Sequence, residues 1–140
     1  MPNGWIGNYA YSRARLNPAK DAVVDLDTGV RYTYGDLEDR ANRLAHVLAG
    51  FGVGKGDRVA YLSRSRVELV DGYFATGKLG AILVPYNARL SAKELGQLMA
   101  NEGPKVLIYE DIFSANAAAL VGSFPVEHRL SLMNAECGRL

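Results

Sequence analysis

The sequence predicts a three-layer α/β protein: a mostly parallel sheet with crossover helices, preceded by an N-terminal helix and a β-hairpin. Three observations carry that expectation. Stretches with helical periodicity alternate with short strand-like runs. The run Ala81 to Val84 is continuously apolar and is closed by Pro85, which suits a strand covered on both faces. From Asp57 to Tyr109 the order is β-α-β-α-β, with connections too short for anything but crossover units, so the strands are expected to lie parallel.

The first helix is expected from about Asn3 to Leu16, with Asn3 as its cap and Trp5, Ile6, Tyr9, Arg13 and Leu16 near one face. Asn17-Pro18 ends it, because the residue before proline disfavours helical backbone. Ala22 to Leu26 and Val30 to Thr33 read as two strands joined by Asp27-Thr28-Gly29, a turn whose glycine accepts positive φ. Three helix starts share the pattern S/T-x-x-D/E: Thr33 to Asp36, Ser65 to Glu68 and Ser91 to Glu94. In each, the hydroxyl is placed to accept from the third amide while the acid reaches back to the cap.

The helix from Tyr34 places Leu37, Ala41, Leu44, Ala45, Leu48 and Phe51 on an apolar face, and Glu38, Asp39, Arg40 and Arg43 on the other. It stops in Gly50 to Asp57, and Arg58 to Leu62 follows as a strand. The next helix, from about Arg66, presents Val67, Val70, Tyr73, Phe74 and Gly77. Another helix spans about Ala92 to Glu102, ended by Gly103-Pro104, and Val106 to Tyr109 is a further buried strand. Asp111 is placed to cap a last short helix through Val121, before a strand within Val126 to Leu132.

A chain of 140 residues fits one domain or part of one. Its 16 basic and 15 acidic residues give a net charge of +1, without the basic excess of a nucleic-acid-binding surface. No apolar stretch is long enough to span a bilayer, and the N-terminus does not read as a signal peptide. Cys137 is the single cysteine, so no internal disulfide forms, and a cytoplasmic location is expected. Cys137 reads as a bystander thiol, with no base beside it in sequence.

The glycine cluster from Gly50 to Gly56 invites a phosphate-binding reading, but it follows a helix and precedes a strand, the reverse of a dinucleotide fingerprint. It is also no P-loop: Ala49 stands where the first glycine is needed, and Gly56 where Ser or Thr should follow Lys55. It reads as helix termination and turn. His46 and His128 have no partner at metal-ligand spacing, so no metal ligands are assigned. There is no G-x-S-x-G nucleophile elbow, and no catalytic residue is assigned. The pairs Arg13/Arg15, Arg40/Arg43 and Arg64/Arg66 are balanced by acids and read as solvated faces.

Several segments in order carry a resemblance: Tyr32-Thr33-Tyr34-Gly35-Asp36-Leu37, Ala41-Asn42-Arg43-Leu44-Ala45, Gly52 to Ala60, Leu79-Gly80-Ala81, Val84 to Leu90 and Lys105 to Ile108. Together they resemble the opening of an adenylate-forming enzyme of the AMP-dependent synthetase/ligase superfamily, most nearly the fatty acyl-CoA ligases, over about Trp5 to Glu110. The resemblance implies an enzyme that uses ATP and Mg²⁺ to convert a fatty or other carboxylic acid to an acyl-adenylate. The acyl group then passes to coenzyme A. It also implies that the chain is part of the family's large N-terminal domain. The family's Gly/Ser/Thr-rich phosphate loop ending in Pro-Lys does not occur in these residues.

On that reading residues 1–140 form a single partial domain, with helix, hairpin and first long helix in 1–56 and a βαβαβ core in 57–132. The chain alone is expected to be inactive, to hold no cofactor, to bind no nucleic acid and to self-associate. In some relatives the loop corresponding to Tyr86-Asn87-Ala88-Arg89 lies near the coenzyme A nucleotide. The resemblance therefore makes Tyr86, Asn87 and Arg89 candidates on the coenzyme A side, with Arg89 offering a forked phosphate contact. The simpler reading is that Pro85 and Asn87 shape a turn and Arg89 pairs locally. A different class of reading is a stand-alone α/β interaction module without catalysis.

Overall fold

The computed structural model describes residues 8–133. Asn3, Trp5, Ile6 and Cys137 lie outside the described residues. The chain divides into two compact units, one of Met1–Gly56 with Ser65–Ile82 and one of Asp57–Arg64 with Leu83–Leu140.

In the first unit, helix α1 (Tyr9–Leu16) precedes strands β1 (Asp21–Val24) and β2 (Arg31–Thr33), which pair antiparallel. Their turn is pinned by Asp25, whose carboxylate accepts from the amides of Asp27 at 2.9 Å and Thr28 at 3.1 Å. Gly29 closes the turn at φ 73°, where a Cβ would be strained. Helix α2 (Tyr34–Gly50) begins in a full capping box: the Thr33 hydroxyl accepts from the Asp36 amide, and the Asp36 carboxylate accepts from the Thr33 amide at 2.8 Å. The apolar face read from the sequence is the buried one, with Ala41 and Leu48 fully buried.

Helix α3 (Val67–Leu79) departs from the sequence expectation twice. Arg66, not Ser65, is its N-cap and makes no side-chain cap bond; its guanidinium instead bonds Glu68 at 3.1 and 3.2 Å. Its buried face is Val67, Asp71, Gly72, Ala75 and Thr76, and Tyr73 is exposed. The small residues let α2 and α3 pack closely, and Asp71 is buried because Arg40 of α2 meets it across that contact.

The second unit carries most of the parallel sheet, while helix α3, expected in the βαβαβ core of 57–132, falls in the first unit. Strands β3 (Arg58–Leu62), β4 (Ile82–Pro85), β5 (Val106–Glu110) and β6 (His128–Leu132) form one sheet in the order β4-β3-β5-β6. β3 runs parallel to β5, with Val59 opposite Val106, and β5 runs parallel to β6, with Val106 opposite His128. Helix α4 (Ala92–Glu102) starts in the second full capping box, Ser91 with Glu94, and ends at Gly103 in the left-handed region at φ 59°. After β5 the chain makes a short 3-10 turn (Asp111–Phe113) before helix α5 (Ser114–Ser123). Asp111 is therefore no cap of α5: its carboxylate accepts from the Ser131 hydroxyl.

Ala60, Leu62 and Leu107 of the sheet pack with Leu95 and Met99 of α4 and Leu120 of α5. Each of these larger side chains contributes about 1.5–3 kcal/mol by leaving water.

Candidate functional site

The sheet order places a reversal at its centre. From β3 the chain moves outward to β4, then returns across β3 to β5 and continues outward to β6. In open α/β sheets, neighbouring strands whose connections leave in opposite directions part their loops at the carboxyl ends, and ligands bind there. β3 and β5 are that pair.

The carboxyl ends of these two strands are tied together by charge. Glu110, the last residue of β5, is fully buried. It accepts from the Arg64 amide at 3.1 Å and from the Arg64 guanidinium at 2.5 Å through Nη2 and 3.1 Å through Nε. The Arg64 side chain remains 60% exposed. A buried carboxylate is tolerated only with such donors, so the clamp sets how far the two strand ends separate.

The loop after β4 carries the three residues singled out from the sequence. The Tyr86 amide donates to the Tyr61 carbonyl at 2.7 Å, which holds the loop against β3. The Tyr86 ring is 6% exposed, its hydroxyl is buried without a hydrogen-bond partner, and burial, with Glu102 nearby, pushes its pKa up to about 12. Asn87 is exposed and shapes the turn: its side chain accepts from the Arg89 amide at 3.0 Å and its carbonyl from Leu90 at 3.1 Å. Arg89 is exposed, and its guanidinium has no ion-pair or hydrogen-bond partner among the described residues. The loop thus brings a turn residue and an available guanidinium together, while Tyr86 is a core residue. The local pairing of Arg89 that a simpler reading expects is not seen.

Three of the arginines read as solvated are held in ion pairs, Arg40 and Arg66 partly buried and Arg64 still exposed. Arg40 bonds the buried Asp71 at 2.6 and 3.1 Å, Arg66 is held by Glu68, and Arg64 clamps Glu110. Glu38, expected on the polar face of α2, is buried and accepts from Lys78 at 2.8 Å. The pairs Arg40–Asp71, Glu38–Lys78 and Arg64–Glu110 are separated by 31, 40 and 46 positions, beyond the reach of any local pattern. Among the described residues no three His, Cys, Asp or Glu side chains converge to hold a metal ion, and no helix is long and apolar enough to cross a membrane.

An open parallel sheet with its strand-end loops at a topological reversal defines the class of α/β ligand-binding domains. Within that class the chain belongs to the AMP-binding enzyme family, whose profile matches residues 11–135. It is 42% identical over 104 residues to the long-chain-fatty-acid–CoA ligase FadD13 of Mycobacterium tuberculosis, covering 74% of this chain and 21% of that protein. It is 39% identical over 120 residues to a feruloyl-CoA synthase of an Amycolatopsis species, covering 86% of this chain and 24% of the relative. A solved fatty acyl CoA synthetase of Mycobacterium tuberculosis superposes with a TM-score of 0.84 at 35% identity, over 91% of this chain and 26% of that one. The chain thus spans about a fifth to a quarter of the length of the relatives it matches.

Proposed function

We propose that this chain is the N-terminal part of an ATP-dependent acyl-CoA ligase acting on a fatty or related carboxylic acid. The observation that supports this most is the 42% identity to a long-chain-fatty-acid–CoA ligase within a family match covering residues 11–135. The parent enzyme uses ATP and Mg²⁺ to form an acyl-adenylate and coenzyme A to accept the acyl group, in the cytoplasm. A carboxylate acylates poorly, and adenylation supplies a good leaving group.

The role assigned to residues 1–140 is a scaffold, a single partial domain of the parent. The described residues do not fit magnesium, because no acidic cluster faces a common point. They do fit a phosphate of coenzyme A, because Arg89 presents an unpaired forked donor beside the Asn87 turn. Arg89 is the contact residue and Asn87 the residue that positions it; Tyr86 anchors the loop from below. Alone, the chain is catalytically silent and self-associates.

The assays are direct. Fatty-acid-dependent exchange of pyrophosphate into ATP is expected to be absent with the 140-residue chain, and its presence overturns the silence. In the protein encoded by the full reading frame, Arg89→Ala is expected to raise the KM for coenzyme A several-fold and leave the KM values for ATP and acid unchanged. An unchanged KM for coenzyme A removes Arg89 from the site. Sedimentation of the chain as a strict monomer overturns self-association.

A further inference from the structure

We propose that the exposed face of α1, together with the aromatic row beside it on α3, is a docking surface for an acidic, partly apolar surface of a partner protein. The inference is independent of the ligase reading, and all of its residues lie in the first unit.

The charge distribution points to the partner's sign. None of the chain's 15 acidic residues falls between Met1 and Lys20, whereas Arg13, Arg15 and Lys20 do. All three are exposed. Arg31, Arg40, Arg58, Arg64 and Arg66 are each paired with a carboxylate. Arg13 and Arg15 have no such partner among the described residues. Each instead lies over a tyrosine four positions earlier, Arg13 at 5.4 Å from the Tyr9 ring centre and Arg15 at 5.7 Å from that of Tyr11. A guanidinium resting on a ring keeps its forked donors free and has fewer rotamers to lose when a carboxylate arrives.

The rings supply the other half of the surface. Tyr9 is 52% exposed and stacks on Phe74 at 6.3 Å with an interplanar angle of 4°; Phe74 meets Tyr73, 47% exposed, edge-on at 5.4 Å. The only buried residue of α1 is Ala10, so the helix turns its large side chains outward. Tyrosine and arginine are the residues that concentrate binding energy at protein interfaces, because they bring large rigid area and directed donors together.

A lipid surface is the weaker occupant. The helix has 8 residues, and Leu16 is its one exposed aliphatic side chain. Three basic side chains near an anionic bilayer contribute about 1 kcal/mol each, which falls short of stable attachment.

The test titrates the chain into a fluorescently labelled synthetic amphipathic helix with glutamates on one face and leucines on the other. Saturable binding by anisotropy is expected. It should weaken about tenfold in the double variant Arg13→Glu/Arg15→Glu and again as salt shortens the screening length. The variant changes exposed side chains only, and an unchanged circular dichroism spectrum checks its fold. The salt dependence and a peptide with glutamine for every glutamate read the same contact on the unaltered chain. Absence of saturable binding, equal binding of the glutamine peptide, or tighter partition onto phosphatidylcholine vesicles containing phosphatidylglycerol than onto the peptide each overturns the proposal.

Discussion

The two units of the chain are held together by different physics. In the sheet unit, Leu62, Leu95, Met99 and Leu107 are completely buried in one apolar cluster. In the helical unit the contact between α2 and α3 is threaded with charge: Asp71 and Glu38 are buried there, met by Arg40 and Lys78. Apolar packing is non-directional and rewards any well-filled arrangement. Buried ion pairs are weak sources of net stability, yet removal of one partner is costly, so they penalise a wrong helix register more than they stabilise the right one. The difference suggests that the sheet unit sets stability and the helix pair sets geometry.

The sharpest way to break that distinction is a cavity in the sheet unit. Leu107→Ala should cost about 2–5 kcal/mol, read as a shift in the urea midpoint. A loss no larger than that of an exposed substitution would show that the apolar cluster is not what holds the sheet. Asp71→Ala should cost about 2 kcal/mol, less than a fully buried pair, because Arg40 keeps partial access to water and to Glu68. Replacing both partners together, Arg40→Met with Asp71→Leu, should recover most of that loss. If the double variant is as unstable as Asp71→Ala, the pair contributes true net stability.

Smaller effects sharpen the picture. Tyr86→Phe removes a buried hydroxyl with no hydrogen-bond partner and should be neutral or stabilising by up to about 1 kcal/mol. A clear destabilisation would reveal an unrecognised acceptor. The smallest effect concerns the caps. Backbone and hydroxyl donors of Thr33 hold the Asp36 carboxyl below its ordinary 3.8, and the hydroxyl and amide of Ser91 hold Glu94 below its ordinary 4.5. A lowered folded pKa means stability fully present above the ordinary value and lost as pH falls below it. The Asp36→Asn and Glu94→Gln variants should therefore be slightly less stable than the unaltered chain at pH 7 and lose less stability as pH falls below those values, so that the stability curves converge in acid.

The legibility of this sequence follows the same division. Two of the three capping boxes form as read, because a cap needs only residues three positions apart. The third fails at Ser65, where the arginine in the cap position finds Glu68 in the first turn. Strands β3 and β5 are covered on both faces, as Val59 to Leu62 and Val106 to Ile108 show, but the run Ala81 to Val84, expected to be covered, forms the edge strand β4 with Ile82 45% exposed. The face of α3 was not readable, since its burial of Asp71 in preference to Tyr73 depends on an arginine 31 positions away. The loop residues Asn87 and Arg89 are proposed through resemblance, whereas the Arg64–Glu110 clamp carries no local signal at all.

By itself the sequence determined the order of elements, the alternation that commits the second unit to a parallel sheet, and the kinship with AMP-binding enzymes, because each is written in spacings of a few residues. Only the tertiary structure decided which charges are buried, which strand ends are clamped, and which arginines are left to face outward. Those outcomes are set where distant segments meet, and a carboxylate's cost or benefit exists only once water has been removed from around it.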